Sequence, residues 1–302
     1  MTTYYADKRS VNLPMIVKYS VNRSLIDIPA RVHKKHELDA LSLYSAEQKG
    51  GSNLRSFYEW FREREDIERE ERDERRSFDY QDPQLKCVRH AISAIMPGYG
   101  DLHTRRKTPT GFELRKNGNA FRVEDLSDGE KCYLTLAGDI ARRLAICNPG
   151  LDNPLEGEGI VLVDELELHL HPQWQGEAIE RLRSVFPGCQ FFITTHSPHI
   201  VQNLRLDGSD TLIVMKDGKV LEIGSRYASP LDDILSEVFG LDYLRPTPVA
   251  HAMEKVWKLL DAGLYQGEEL ETALRNLREM IVDSDPEFAR INLQLALNRK
   301  HG

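Results

Sequence analysis

Only four of the 302 residues are cysteine, at positions 87, 132, 147 and 189, and no two of them stand in a C-x-x-C spacing. That excludes a disulfide framework and a zinc ribbon, and reduced, apolar-context thiols are expected instead. No apolar run approaches the roughly 20 residues that cross a bilayer. The polar start Met1-Thr2-Thr3-Tyr4-Tyr5 lacks the apolar core of a signal peptide, so a cytoplasmic setting without membrane contact is expected. Positive charge is also short, with 40 Lys and Arg against 48 Asp and Glu and a net charge of −8. A surface coated for nucleic-acid binding is therefore excluded, although the basic clusters Arg31 to His36 and Arg105-Arg106-Lys107 leave local contact open. What remains is the composition of a soluble globular protein, 29% charged and 40% hydrophobic, long enough for one sizeable core and a small appended domain.

Periodicity then divides the chain. Leu13 to Tyr19 reads as a strand entering the turn-like Ser20-Val21-Asn22-Arg23. Leu54, Phe57, Tyr58 and Phe61 fall on one face of a helix. That helix continues into Arg62 to Arg76, where six arginines meet eight acids. Glu65/Arg69, Glu68/Arg72 and Glu71/Arg75 are acid-before-base pairs four apart, which predicts a solvated arm. Phe112 to Arg115 and Ala120 to Val123 flank Asn117-Gly118, and Thr211 to Met215 and Lys219 to Ile223 flank Asp217-Gly218; both predict tight hairpins. Leu126 to Ile146 reads as a helix, and Pro172 to Val185 as a crossover helix between the apolar runs at Ile160 and Gln190 to Thr195. Beyond Pro230 the pattern is helical, most clearly over Glu268 to Ile281 and Pro286 to Asn298. The expected fold is α/β: a mostly parallel sheet flanked by helices, with an inserted charged arm and a C-terminal helical region. The expected boundaries are 1–53 and 101–229 for the core, 54–100 for the arm and 230–302 for the last region.

Two apolar runs end in reactive residues. Ile160-Val161-Leu162-Val163 is followed by Asp164-Glu165, and Phe191-Phe192-Ile193 by Thr194-Thr195-His196-Ser197-Pro198. Runs this short and continuous predict parallel strands buried on both faces. An acidic pair at the carboxyl edge of such a sheet suits phosphoryl transfer: Asp164 to help hold magnesium, Glu165 to orient or deprotonate the attacking water. An imidazole after the neighbouring strand, His196, could reach a γ-phosphate. Ser127-Asp128-Gly129 opens a helix, where free N–H groups and the helix dipole favour phosphate, although the same spacing also serves as a cap. In a loop, Asp164 or Glu165 together with His169 and His171 could instead build a zinc or manganese site of nuclease type.

In this order, Leu126-Ser127-Asp128-Gly129-Glu130, the acidic strand and Thr195-His196-Ser197-Pro198 resemble the back half of an ABC-type ATPase of the SMC, RecF and OLD kind. Asp164-Glu165-Leu166-Glu167-Leu168-His169-Leu170-His171-Pro172 resembles the stretch that lies near the dimer interface in those proteins. Asn22-Arg23, Tyr58-Glu59-Trp60-Phe61, Leu126 to Lys131 and Asn153-Pro154-Leu155-Glu156-Gly157 are similar to the PtuA family, the ATPase subunits of Septu and retron-associated antiphage systems. That resemblance implies ATP and Mg2+ as cofactors, with Asp164 at the metal and Glu165 and His196 as catalytic residues. It implies that Ser127 and Gly129 bind the nucleotide of a second copy, and that the partners are the chain itself and an HNH-type nuclease.

No segment matches G-x-x-x-x-G-K-[ST], the loop that cradles phosphates; Gly218-Lys219 is followed by Val220 and lies after the acidic strand. The chain is therefore expected to be the signature-bearing half of such a core, as a fragment or a shortened form. Three functions stay open: an ATPase completed by a P-loop, a non-hydrolysing subunit that completes another protein's site, and a metal-dependent nuclease.

Overall fold

The computed structural model describes residues 12–21, 54–208, 210–241 and 243–299. Two compact units divide the chain, residues 1–228 and 229–302.

In the first unit β1 (Met15–Tyr19) is followed by α1 (Leu54–Arg75) and α2 (Pro83–Ile95). Three antiparallel strands come next, β2 (Tyr99–Arg105), β3 (Gly111–Lys116) and β4 (Asn119–Arg122), then α3 (Asp128–Cys147). The chain continues through β5 (Gly159–Val163), α4 (Pro172–Val185), β6 (Cys189–Ile193), α5 (Pro198–Asn203), β7 (Leu212–Lys216) and β8 (Lys219–Ile223). β1, β5 and β6 form a parallel sheet in that order, with Tyr19 opposite Val163 and Val163 opposite Ile193. This is the mixed α/β architecture with a helix-flanked parallel sheet that the sequence predicts. Both hairpins turn at the expected dipeptides, where Asn117, Gly118, Asp217 and Gly218 all have positive φ.

The sheet departs from expectation in being buried on one face. Met15, Val17, Tyr19, Val161 and Val163 enter the core with Leu134, Ala137, Ile140 and Leu144 of α3. On the other face Ile16, Ile160 and Phe192 are 43%, 38% and 52% exposed. Continuous apolar sequence records what each face can bury and does not show which face is covered within these residues.

The charged helix also differs from a solvated arm. Phe57, Tyr58 and Phe61 pack around Phe112 with ring centroids 5.4, 5.1 and 5.4 Å apart. The Phe57 ring lies where a side chain on Gly138 would sit, so α1 closes directly onto α3. Glu68–Arg72 and Glu71–Arg75 pair along the helix as expected, at 2.8 and 2.7 Å. Glu65 instead turns inward to accept the Thr104 N–H at 3.1 Å, and Arg69 pairs with Asp66. Glu65 and Glu68 are only 5% and 4% exposed, and Arg89 reaches both. α2 and β2 pack on that side and supply the donors that make burying two carboxylates tolerable. The same geometry occupies the basic cluster: Arg105 pairs with Glu113, and Arg106 with Glu65 and Asp66. Arg31 to His36 lies outside the described residues. All four cysteines are free thiols.

In the second unit α6 (Leu231–Glu237), α7 (Thr247–Asp261), α8 (Glu268–Met280) and α9 (Pro286–Arg299) follow one another. Val256, Leu260, Leu270, Leu277, Phe288 and Ile291 form its core. Arg245 clasps Asp285 with bonds of 2.6 and 3.0 Å. Among the described residues no helix is long and apolar enough to cross a membrane.

Candidate functional site

Parallel pairing places Asp164-Glu165 and His196 beyond the carboxyl ends of neighbouring strands, at one edge of the sheet. Thr194 joins the two. Its hydroxyl donates to Asp164 Oδ1 at 2.5 Å and accepts the Glu165 N–H at 2.9 Å. The Asp164 N–H donates to the carbonyl of Tyr19, so β1 helps fix the backbone that carries this carboxylate. Glu165 stands at φ +48°, in the left-handed region that a residue with a Cβ seldom occupies. The bond to Thr194, and a second from the Leu168 N–H to the Glu165 carbonyl at 3.0 Å, hold it there.

After Glu165 the chain turns rather than extends, with Leu166 and Leu170 anchored in the core and His169 at φ +66°. His171 does not join His169 at a metal: its Nδ1 accepts the Gln173 N–H at 3.3 Å and caps α4, with Pro172 at the first helical position. Among the described residues no three His, Cys, Asp or Glu side chains gather to hold a metal ion. The imidazole-carboxylate site considered for a nuclease is not assembled.

α3 begins with a complete capping box. The Ser127 hydroxyl accepts the Glu130 N–H at 3.4 Å, while Glu130 Oε2 accepts the Ser127 N–H at 2.7 Å and its hydroxyl at 2.8 Å. Glu130 Oε1 takes Lys116 Nζ at 2.5 Å and the Tyr99 hydroxyl. Partial burial would raise the Glu130 carboxyl, but the hydrogen bonds from Lys116, Tyr99 and Ser127 outweigh it and hold the group down at about 2. Gly129 is buried against the β5 loop: a Cβ there would lie 2.0 Å from the His169 carbonyl oxygen. Backbone cannot yield as a flexible side chain can. Gly129→Ala is therefore expected to cost about 1–3 kcal/mol of stability, the range for overpacking. A parental urea midpoint would show that the two backbones separate freely.

Of the residues that the sequence marks, Asp164, Glu165 and His196 lie at one sheet edge, and Ser127 and Gly129 at the start of α3. Thr194 and the Glu130 hub with Lys116 and Tyr99 are the residues that the structure adds. A hydroxyl directly after β6 was the available signal for Thr194; the Glu130 hub joins residues 14 and 31 apart and leaves no local signature.

A model of the family described as "AAA domain, putative AbiEii toxin, Type IV TA system" matches residues 22–202, more than half of the chain. The chain belongs to this AAA-domain family. It is 42% identical over 135 residues to the Retron Ec83 probable ATPase of Escherichia coli, which covers 45% of this chain and 24% of that protein. It is 31% identical over 189 residues to the Septu protein PtuA of Bacillus thuringiensis, covering 60% of this chain and 47% of the relative. The chain thus spans about a quarter of the first curated relative and about half of the second. A solved SMC ATPase, described in terms of ATP-driven dimerization and DNA-stimulated activation, superposes with a TM-score of 0.38 at 20% identity. That superposition covers 53% of this chain and 94% of the SMC chain, and likeness at this level supports no functional comparison.

Proposed function

We propose that this AAA-domain chain is the signature and acid-pair half of an ATPase that closes around nucleotide with a second subunit and thereby controls an effector. The observation that carries this reading is the shared sheet edge, where Thr194 ties the Asp164-Glu165 turn to the strand that ends at His196. Asp164 presents hard carboxylate oxygen, the donor chemistry Mg2+ takes; the Thr194 hydroxyl holds the carboxylate and the Tyr19 carbonyl holds its backbone. Mg2+ would neutralise charge on the phosphates when bound. In this reading Glu165 accepts the proton of the attacking water, and His196 contacts the γ-phosphate. Ser127 and the N–H groups beside Gly129 meet the nucleotide held by the other subunit. The names of the relatives, a retron probable ATPase and a Septu protein, support a setting in retron or Septu systems. The proposal extends to an antiphage role in the cytoplasm, with a homo-oligomer through the ATPase core and an HNH-type nuclease as the controlled partner.

The phosphate cradle has to come from elsewhere, because no G-x-x-x-x-G-K-[ST] segment is present in the 302 residues. The purified chain is expected to bind ATP weakly and to hydrolyse it hardly at all. Adding a polypeptide that carries a P-loop is expected to bring turnover, measured as phosphate release. Robust hydrolysis by the chain alone, lost in Glu165→Gln, would reveal a cradle built from these residues. Binding to the P-loop polypeptide without any turnover would favour the non-hydrolysing subunit instead.

A further inference from the structure

Beyond β5 and β6 the two loops are joined a second time, by Glu167. Its Oε1 accepts the backbone N–H of His196 at 2.5 Å, and its Oε2 accepts the Thr195 hydroxyl at 2.7 Å. Both oxygens of one carboxylate are spent on two successive residues of the neighbouring loop. The Thr195 oxygen accepts the Ser197 N–H at 3.0 Å. The Ser197 hydroxyl donates to Gln175 Oε1 at 2.6 Å and accepts the Ile200 N–H that starts α5. Gln175 Nε2 donates to the Leu170 carbonyl at 2.9 Å, and the Leu170 N–H returns to the Glu167 carbonyl at 2.8 Å. The ring closes on itself. Every link runs between the turn after Glu165, the start of α4 and the segment around His196. None of its members is Asp164 or Glu165.

We propose that Glu167 is a positioning residue that fixes the backbone of His196 relative to the Glu165 turn. This rests on the ATPase reading of the site. Charge-assisted bonds from a carboxylate to a backbone N–H and a hydroxyl are shorter and stronger than neutral ones, and two from one side chain also fix direction. The imidazole is thereby held by its own main chain. A structural role alone would need only that the loop be stable; positioning needs this orientation, and the two can be separated.

In the 302-residue chain, amide hydrogen exchange at His196 is expected to rise about tenfold or more in Glu167→Ala, the scale of one lost hydrogen bond to a charged group. Glu167→Gln should restore most of the protection, since its carbonyl can accept the His196 N–H while its amide donates to the Thr195 oxygen. Thr195→Val removes one link and should give a smaller rise, which keeps the test open if Glu167→Ala folds poorly. Glu165→Gln should leave exchange at His196 unchanged.

In the assembly with a P-loop polypeptide, Glu167→Ala should lower kcat about tenfold with KM within about twofold, and Glu167→Gln should recover most of it. Unchanged exchange at His196 in Glu167→Ala and Thr195→Val overturns the tie itself. Raised exchange with parental kcat overturns the positioning role and leaves the ATPase reading standing. A parental rate in Glu165→Gln strikes the ATPase reading and leaves the tie standing.

Discussion

Glu165→Gln is expected to slow ATP hydrolysis by about 10²- to 10⁴-fold in an assembly that contains a P-loop, while ATP binding stays largely intact. The substitution removes the basic oxygen and keeps size and reach. It also keeps the Cβ at φ +48°, so the cost of the left-handed backbone is common to both proteins and cancels from the comparison. Single-turnover phosphate release measured beside nucleotide affinity separates the chemical step from binding. Ser127→Arg is the companion: a charged, bulky side chain at a tight helix start should block closure onto the second subunit's nucleotide, losing turnover with the acid pair untouched. Hydrolysis at the parental rate in Glu165→Gln would mean that another group handles the water.

Asp139→Ala is expected to cost about 3–5 kcal/mol of stability, the loss found when one member of a buried ion cluster is removed. Asp139 is fully buried and takes Arg142 Nη2 at 2.5 Å, Arg143 Nε at 2.7 Å and the Tyr19 hydroxyl at 3.0 Å. The substitution removes the carboxylate that two buried guanidinium groups share. Burial alone would raise the Asp139 carboxyl. The charges of Arg143 and Arg142, with hydrogen bonds from Arg143 and Tyr19, prevail and hold it at about 2 against an ordinary 3.8. Its contribution is thus fully present above the ordinary value and disappears as pH falls through about 2. Urea denaturation read by tryptophan fluorescence checks both points, since Trp60 and Trp174 report on this core. A loss below about 1 kcal/mol would show that the arginines find water or other acceptors.

Much of this was legible in the sequence for identifiable reasons. β5, α4 and β6 announce themselves through β-branched runs separated by a proline-led helix, and the hairpins through Asn-Gly and Asp-Gly. β2 did not: Tyr99–Arg105 holds Gly100 and Asp101 and shows no apolar alternation. Nor could charge spacing reveal that Glu65 faces inward, because its donors Thr104, Arg89 and Arg106 lie 24 to 41 residues away along the chain. The acid pair, the serine-glycine helix start and the histidine were legible because each is a reactive residue type at or near the end of a regular element, in an order that resembles a known family. Thr194 and Glu167 were not, since their purpose exists only once two strands lie side by side.

The left-handed backbone at Glu165 bears on how such a chain would change if its chemistry were abandoned. Local preference at that position favours glycine or asparagine, which relieve about 1 kcal/mol or more of strain. A carboxylate there stands against the turn's own preference, and in the proposed ATPase reading the reacting water gives it a reason to stay. In descendants that kept the fold but served purely as assembly platforms, this would be among the first positions to drift, ahead of Asp164, whose backbone carries no such cost. The identity of one residue in a strained turn would then separate lineages that hydrolyse from lineages that only bind.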